Sequence, residues 1–230
     1  MIKIDTYIAG PDVFLRNASK VKELKREIAK KGGLNPLFPL DNVVRDFFSR
    51  QDLSEEQKGL ILYRANILLM NKAKAIIADI TPIPLRGPNM DPGTAFEIGY
   101  MIGQKKPVEC YTNSPNSFAD RVKSWLKGFN IKIEKDEFGV ERDATRGIMI
   151  EDFGKTISDN IMIDGSARLS GGSIHKPAGK ILQGKELDVS LEQFKKAVEK
   201  LTDGFVKGTY QERASEQESL LAVYLNSLMK

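Results

Sequence analysis

The chain has 230 residues, of which 41% are hydrophobic and 29% charged, which suits one large domain or a core domain with an added subdomain. Its net charge of +4 is small and its lysines are interleaved with glutamates, so the composition argues against nucleic-acid binding. A single cysteine, Cys110, and a single histidine, His175, exclude a disulfide framework within the chain and argue against a metal site or a histidine-based triad. No apolar run is long enough to span a membrane, and a lone cysteine suits the reducing cytoplasm.

The first half of the chain alternates predicted strands with predicted helices. Strands are predicted over 2–8, 34–40, 73–80 and 108–111, and helices over 19–31, 54–70 and 93–104. The 73–80 segment is almost wholly apolar, which is typical of a strand covered on both faces in a parallel sheet. The alternation predicts an α/β fold of the flavodoxin or Rossmann type, doubly wound, with a mainly parallel sheet flanked by helices.

The sequence beyond residue 112 has a weaker pattern. A short helix is predicted over 122–129, turns and short apolar pieces over 137–160, and amphipathic helices over 191–201 and 215–229. The segment 165–184 is rich in glycine, serine and lysine, which predicts a mobile loop. We therefore expect residues 1–166 to form the main domain, with a flexible loop and C-terminal helices in 167–230 packed on it.

Three candidate site features follow predicted strands. They are Tyr7 and Gly10 after the first strand, Asp79 at the end of the third, and the segment 91–97 that enters the next helix. Ligands of doubly wound folds bind at the carboxyl ends of the parallel strands, so these features are expected at one edge. The turn-rich loop 86–93 would also let backbone N–H groups approach a ligand closely.

Glu97 has two interpretations. Thr94-Ala95-Phe96-Glu97 matches the capping box, in which Glu97 only closes the start of a helix. Alternatively, the helix dipole keeps this carboxylate ionised, and an ionised carboxylate is what attack on an anomeric carbon requires. Asp91, upstream in the loop, would then hold a base and pass it a proton, which divides the work as in glycoside hydrolysis. Asp79 is equally compatible with ligand binding and with a cap or loop brace.

Six short blocks occur in order along the chain. They are Tyr7-Ile8-Ala9-Gly10-Pro11 with Val13-Phe14, Pro39-Leu40-Asp41-Asn42, Ala78-Asp79-Ile80-Thr81-Pro82, Asp91-Pro92-Gly93-Thr94-Ala95-Phe96-Glu97-Ile98-Gly99-Tyr100, Asp152-Phe153-Gly154 and Asn160-Ile161-Met162. Together they resemble the nucleoside 2-deoxyribosyltransferases over residues 2–166. The resemblance implies that the 1–166 domain is the catalytic domain of such an enzyme.

The resemblance also implies a role for each matched residue. Glu97 would attack C1′ and form a covalent 2-deoxyribosyl-enzyme, from which a second base takes the sugar with net retention. Tyr7 would orient the Glu97 carboxylate, and Asp91 would contact the base and assist proton transfer. Asn160 would reach the sugar 5′-hydroxyl across a subunit interface, with Met162 beside the ring. The remaining predicted substrate-binding residues lie in the matched blocks: Gly10, Phe14, Asn42, Asp79 and Gly93.

The partners implied by the resemblance are a deoxynucleoside and a free nucleobase. The family forms homo-oligomers built from dimers, often hexamers, with shared active sites, and it needs no metal or cofactor. This chain departs from the family pattern at Asn66, where some members carry another Asp, and in its additional sequence at 167–185 and 212–229. For the last helix, packing or an oligomer contact is the expectation.

Three alternatives to a transferase remain open at this point. A deoxynucleotide N-hydrolase has the same fold but uses water in place of the incoming base. A non-catalytic nucleoside-binding module would not need Tyr7, Asp91 and Glu97 together. A plain α/β domain with a capping box would not need the ordered set of blocks.

Overall fold

The computed structural model describes residues 3–39, 41–43, 47–83, 86–178 and 191–228. The strands are β1 Ile4–Ala9, β2 Leu34–Leu37, β3 Ala75–Asp79, β4 Val108–Tyr111, β5 Ile133–Lys135, β6 Glu141–Asp143 and β7 Ile174–His175. The helices are α1 Ala18–Lys31, α2 Glu55–Lys72, α3 Pro92–Gly103, α4 Phe118–Gly128, α5 Ile161–Leu169, α6 Leu191–Lys207 and α7 Thr209–Leu228. Among these described helices, none is both long and apolar enough to cross a bilayer.

The main sheet has five strands in the order β2-β1-β3-β4-β7, and each neighbouring pair is parallel. The direction in which strands are added reverses at β1, so β1 and β3 flank the switch point at which ligands of doubly wound folds bind. Strands β5 and β6 form a separate antiparallel hairpin. The observed order confirms the predicted doubly wound α/β fold.

Helices cover both faces of the sheet. Successive residues of a strand point to opposite faces, so Tyr7 and Ile76 pack in one apolar cluster with Ile98 of α3. Their neighbours in sequence pack in a second cluster with α1 and α6, which contains Ile8, Ile77, Ala29 and Phe194. This double coverage explains why every residue of β3 is buried and why its sequence lacks an alternating pattern.

The helix boundaries agree closely with the sequence pattern in the first half of the chain. The observed α1, α2 and α3 begin within one residue of the predicted starts, and β4 has the predicted bounds. Helix α4 begins at Phe118 instead of 122, because the Ser117 hydroxyl accepts a hydrogen bond from the Asp120 backbone N–H at 3.2 Å and caps the helix.

The segment predicted as a mobile loop over 165–184 instead contains the end of α5 and the strand β7. A Cβ atom at Gly172 would collide with the carbonyl oxygen of Val108. The small residue here therefore allows the chain to approach the sheet, so that Ile174 pairs with Cys110 of β4. The remainder of that segment, from 179, lies outside the described residues.

The two C-terminal helices differ in how they pack. Helix α6 lies on the sheet, where Phe194 and Leu201 are fully buried. Helix α7 begins at Thr209 instead of 215 and is anchored through its first turn, where the buried Tyr210 donates a hydrogen bond to Glu109 Oε1 at 2.7 Å. Its second half carries exposed apolar side chains, including Leu220 and Val223.

Candidate active site

The centre of the candidate site is a hydrogen bond between Tyr7 and Glu97. Strand β1 points the Tyr7 side chain toward α3, where its hydroxyl donates to Glu97 Oε1 at 2.6 Å. Tyr7 is fully buried, whereas Glu97 is partly accessible. One carboxylate oxygen is therefore held inside the protein by the hydrogen bond.

The environment of Glu97 makes its carboxyl group titrate near neutrality. Burial raises the pKa of Glu97 to about 7, the Tyr7 hydrogen bond opposes that rise, and the negative charge of Asp91 adds to it. Burial and the adjacent carboxylate also raise the pKa of Tyr7 well above its usual range. Tyr7 therefore keeps its proton and remains a hydrogen-bond donor to Glu97.

Glu97 does not form the capping box that the sequence pattern predicts. Helix α3 begins at Pro92, and its N-cap is Asp91, whose Oδ2 accepts from the Thr94 backbone N–H at 3.0 Å. Glu97 consequently lies in the second turn, where the helix dipole is weaker than at the first turn. The capping interpretation is wrong for Glu97, and Tyr7 is the group that favours its ionised form.

Asp91 lies close to Glu97 at the start of the same helix. It is buried, its Oδ2 serves as the cap, and its Oδ1 lies 4.0 Å from Arg86 Nε. A Cβ atom at Gly93 would lie 2.9 Å from Asp91 Oδ2, so glycine is needed for the carboxylate to turn back over the helix start. Gly93 thus shapes the loop, and Asp91 combines a capping contact with a position beside Glu97.

Asp79 and Gly10 lie together at the ends of β3 and β1. Asp79 accepts from the Thr81 backbone N–H at 2.9 Å and lies 3.8 Å from the buried Lys25 ammonium of α1. Lys25 also pairs with Asp12, which places this ion cluster on the sheet face opposite α3. A Cβ atom at Gly10 would lie 2.7 Å from Asp79 Cβ. These contacts favour the loop-bracing interpretation of Asp79 over direct substrate binding.

Two predicted substrate-binding residues, Phe14 and Asn42, lie on the surface. Phe14 ends a short 3-10 turn and is 65% exposed. The Asn42 side-chain amide donates to the backbone carbonyl of Ala65 in α2 at 3.1 Å. The structure does not join either residue to Glu97 through a contact, so their substrate-binding role stays a prediction.

Asn160 and Met162 lie at the start of α5. Asn160 is the N-cap, its Oδ1 accepts from the Met162 backbone N–H at 2.9 Å, and its amide donates to both oxygens of Glu151 at 2.9 Å. Met162 is 72% exposed, so its side chain projects outward from its own chain. Asn160 is rigidly held, and Met162 is available to a neighbouring molecule.

Arg121 is a buried residue of α4 that the sequence analysis did not select. Its guanidinium contacts the loops that carry Asp91 and Asn160, through Pro88 O at 2.9 Å and Ser158 O at 2.7 Å. The available signal was a charged residue beside apolar positions of an amphipathic helix, which does not identify its partners.

Within the described ranges, no group of three or more His, Cys, Asp or Glu side chains is arranged to hold a metal ion.

Comparison with known proteins identifies the class of this chain. The family model for nucleoside 2-deoxyribosyltransferase matches residues 6–162, so the chain belongs to that family and is a glycosyl-transferring enzyme. The family implies nucleoside and nucleobase substrates. An uncharacterized protein of Schizosaccharomyces pombe is 29% identical over 177 residues, which cover 73% of this chain and 79% of the relative.

Two solved structures are similar to this chain. A 2-desoxiribosyltransferase from Leishmania mexicana has a TM-score of 0.48 and 21% identity, with 82% of this chain and 96% of that chain covered. A 2-deoxyribosyltransferase from Bacillus psychrosaccharolyticus has a TM-score of 0.39 and 18% identity, with 50% of this chain and 80% of that chain covered. Assignment to the family rests on the sequence match over residues 6–162.

Proposed function

We propose that this protein transfers a 2-deoxyribosyl group between nucleobases through a covalent intermediate on Glu97, with net retention at C1′. The observation that carries the proposal is the 2.6 Å hydrogen bond from Tyr7 to Glu97. A nucleophilic carboxylate must be held in one orientation and still be accessible to substrate, and Glu97 combines these two properties.

In the first half-reaction, a Glu97 oxygen forms a bond to C1′ while the N-glycosidic bond breaks. The bonding electron pair leaves with the base, and a proton then neutralises the base nitrogen. We propose that Asp91, the N-cap of the helix that carries Glu97, relays this proton from solvent to the base nitrogen. In the second half-reaction a ring nitrogen of a new base attacks C1′, and its N–H proton returns to solvent through Asp91. The Glu97 ester bond breaks, its electron pair returns to the carboxylate, and the second inversion restores the original configuration.

The pKa of about 7 for Glu97 suits this chemistry. A partly desolvated carboxylate forms a bond to carbon more readily than a fully hydrated one, and at neutral pH a large fraction is still ionised. The Tyr7 hydrogen bond orients the Glu97 carboxylate before substrate binds. The conformational entropy of the Glu97 side chain is therefore lost when the protein folds, and it does not add to the activation free energy of the reaction.

The sugar preference follows from the reaction centre. A 2′-hydroxyl beside C1′ withdraws electrons and disfavours the oxocarbenium-like transition state, and it would also have to fit against the Glu97 carboxylate. We therefore propose that the substrate is a 2′-deoxynucleoside.

We propose that the working enzyme is a homo-oligomer with shared active sites. Asn160 is held by Glu151 in a fixed orientation, and the neighbouring Met162 side chain projects outward. Both properties suit a block that reaches the 5′-hydroxyl of a sugar bound in an adjacent subunit.

We propose that the enzyme is located in the cytoplasm, in keeping with its buried free thiol at Cys110.

The direct test is product analysis after incubation with deoxyinosine plus adenine, and separately with thymidine plus adenine. Deoxyadenosine should form in the first mixture, and its appearance in the second would extend the donor range to pyrimidines. Release of hypoxanthine at the same rate with and without adenine, without deoxyadenosine, would instead identify a hydrolase. No consumption of either donor would favour a nucleoside-binding module.

A further inference from the structure

Arg121 joins two loops that are far apart in sequence. Its side chain is 8% exposed, and it makes four hydrogen bonds to the chain around it. These run from Nε to Pro88 O at 2.9 Å, from Nη1 to Ser158 O at 2.7 Å and to Asn116 O at 3.2 Å, and from Nη2 to Asp159 Oδ2 at 2.8 Å. The planar guanidinium points its donors in fixed directions, so the acceptors on the two loops are held in one relative geometry.

Both loops lead directly to residues of the proposed site. The first continues from Pro88 to Asp91, the N-cap of α3. The second continues from Ser158 and Asp159 to Asn160, the N-cap of α5. Displacement of either loop therefore moves a substrate-contacting side chain.

Asp159 extends the connection made by Arg121. Its Oδ1 accepts from the Asn160 backbone N–H at 2.9 Å, and the backbone of Met90 acts to lower the pKa of the Asp159 carboxyl. Burial lowers the pKa of Arg121 and raises the pKa of Asp159, while each charge opposes the shift of the other. A buried ion pair contributes little net stability compared with apolar packing, whereas it does specify orientation through directional contacts.

We propose that Arg121 is a positioning residue that sets Asp91 for its own active site and Asn160 for the active site of the neighbouring subunit. The proposal rests on the proposed function, in which Asp91 and Asn160 of one chain serve two different sites. One guanidinium would then align catalytic groups on both sides of a subunit interface.

The first test is Arg121→Lys, which keeps the positive charge but replaces the planar fork by a single ammonium. We expect kcat/KM for deoxyinosine and adenine to fall by about tenfold to a hundredfold, because a misplacement of a reacting group by about 1 Å can cost up to about a hundredfold in rate. The matched control is Arg142→Lys. Arg142 also binds a carboxylate, Asp136, at 2.7 Å and a backbone carbonyl, Gly147 O, at 3.0 Å, but it does so around the β5–β6 hairpin. The control should stay within about twofold of wild type.

A substrate that lacks the 5′-hydroxyl separates positioning from general loosening of the fold. Asn160 has nothing to bind on a 2′,5′-dideoxynucleoside, so the part of the Arg121→Lys defect that acts through Asn160 should disappear. The part that acts through Asp91 should persist, mainly as a lower kcat. An equal defect on both substrates, together with a lower thermal midpoint, would overturn the proposal in favour of a purely structural Arg121.

Mixed oligomers measure the two effects one at a time. The reference mixes Glu97→Ala chains with Asn160→Ala chains, so that some sites combine an intact Glu97 and an intact Asn160. Placing Arg121→Lys on the Glu97→Ala chain loosens only the Asn160 contributed to those sites. Placing Arg121→Lys on the Asn160→Ala chain loosens only their Asp91.

We expect both of these mixtures to recover less activity than the reference. Full recovery in either mixture would overturn the proposal, because Arg121 would then act on one loop or on neither. If the reference itself recovers nothing while mixed oligomers are present, the shared site of the proposed function fails. The 5′-deoxy comparison then decides separately whether Arg121 positions both Asp91 and Asn160.

Discussion

Replacing Glu97 by glutamine should abolish transfer and yet stabilise the protein above neutral pH. Glutamine has nearly the same shape, and its side-chain oxygen can still accept the Tyr7 hydrogen bond seen at 2.6 Å. What it removes is a carboxylate that is costly to ionise in this environment, because burial raises the Glu97 pKa from 4.5 to about 7. Loss of the nucleophile should reduce the rate by several orders of magnitude.

The size and direction of the stability change follow from the pKa shift. The folded protein binds the Glu97 proton more tightly than the unfolded chain does, so this group favours folding at acid pH. That contribution is full below pH 4.5 and is lost as the pH rises to about 7. A rise in pKa from 4.5 to about 7, at about 1.4 kcal/mol per pKa unit, corresponds to a change of about 3 kcal/mol at most in the free energy of unfolding. Glutamine does not titrate, so the variant loses no stability through this position in this range.

The assay is urea unfolding of wild type and Glu97→Gln at pH 5 and pH 8, with the protein concentration held constant because dissociation of the proposed oligomer would also contribute. The free energy of unfolding of the variant minus that of wild type should be about 2 kcal/mol larger at pH 8 than at pH 5. An equal stability difference at both pH values would refute the inference that burial of Glu97 raises its pKa. Normal turnover by the variant would refute its assignment as the nucleophile.

Four further outcomes are expected. The rate of deoxyinosine cleavage by wild type should rise about tenfold from pH 6 to pH 8, because Glu97 ionises near pH 7; a flat profile would contradict this. Tyr7→Phe should lower kcat more than nucleoside affinity and move the midpoint of that pH profile upward, because the hydrogen bond that lowers the Glu97 pKa is lost; an unchanged kcat would remove Tyr7 from the site. Deoxyadenosine should react much faster than adenosine, and equal rates would contradict the assigned sugar specificity. Inactive Glu97→Ala and Asn160→Ala chains, dissociated and reassembled together, should regain partial activity, whereas no recovery in proven mixed oligomers would mean that each site lies within one chain.

The fold was predictable because local patterns determine it directly. The period of apolar residues distinguishes strands from helices, and the wholly apolar β3 marks a strand covered on both faces. The alternation of these elements then leaves few topologies other than a doubly wound sheet. Strand β7 was missed, because two residues beside Gly172 carry too little pattern to be recognised and depend on pairing with β4.

The candidate site was predictable only in part. The ordered blocks indicated Tyr7 and Glu97, and the structure places the two side chains in contact. The capping interpretation was wrong because helix α3 starts at Pro92. A proline after an Asp is itself a signal for a helix start, so this detail was present in the sequence and was outweighed by the capping-box pattern.

What the sequence determined by itself is the order of strands and helices from β1 to β4 and the short blocks that define the family. What only the tertiary structure decided is which of those residues meet. In the folded chain Asp79 lies in an ion cluster with Lys25 on the sheet face opposite α3. Arg121 donates hydrogen bonds to the backbone carbonyls of Pro88 and Ser158. Such contacts join residues distant in the chain, and the free energy of each depends on the distance and burial that packing imposes. Neither quantity has a local signature in the sequence.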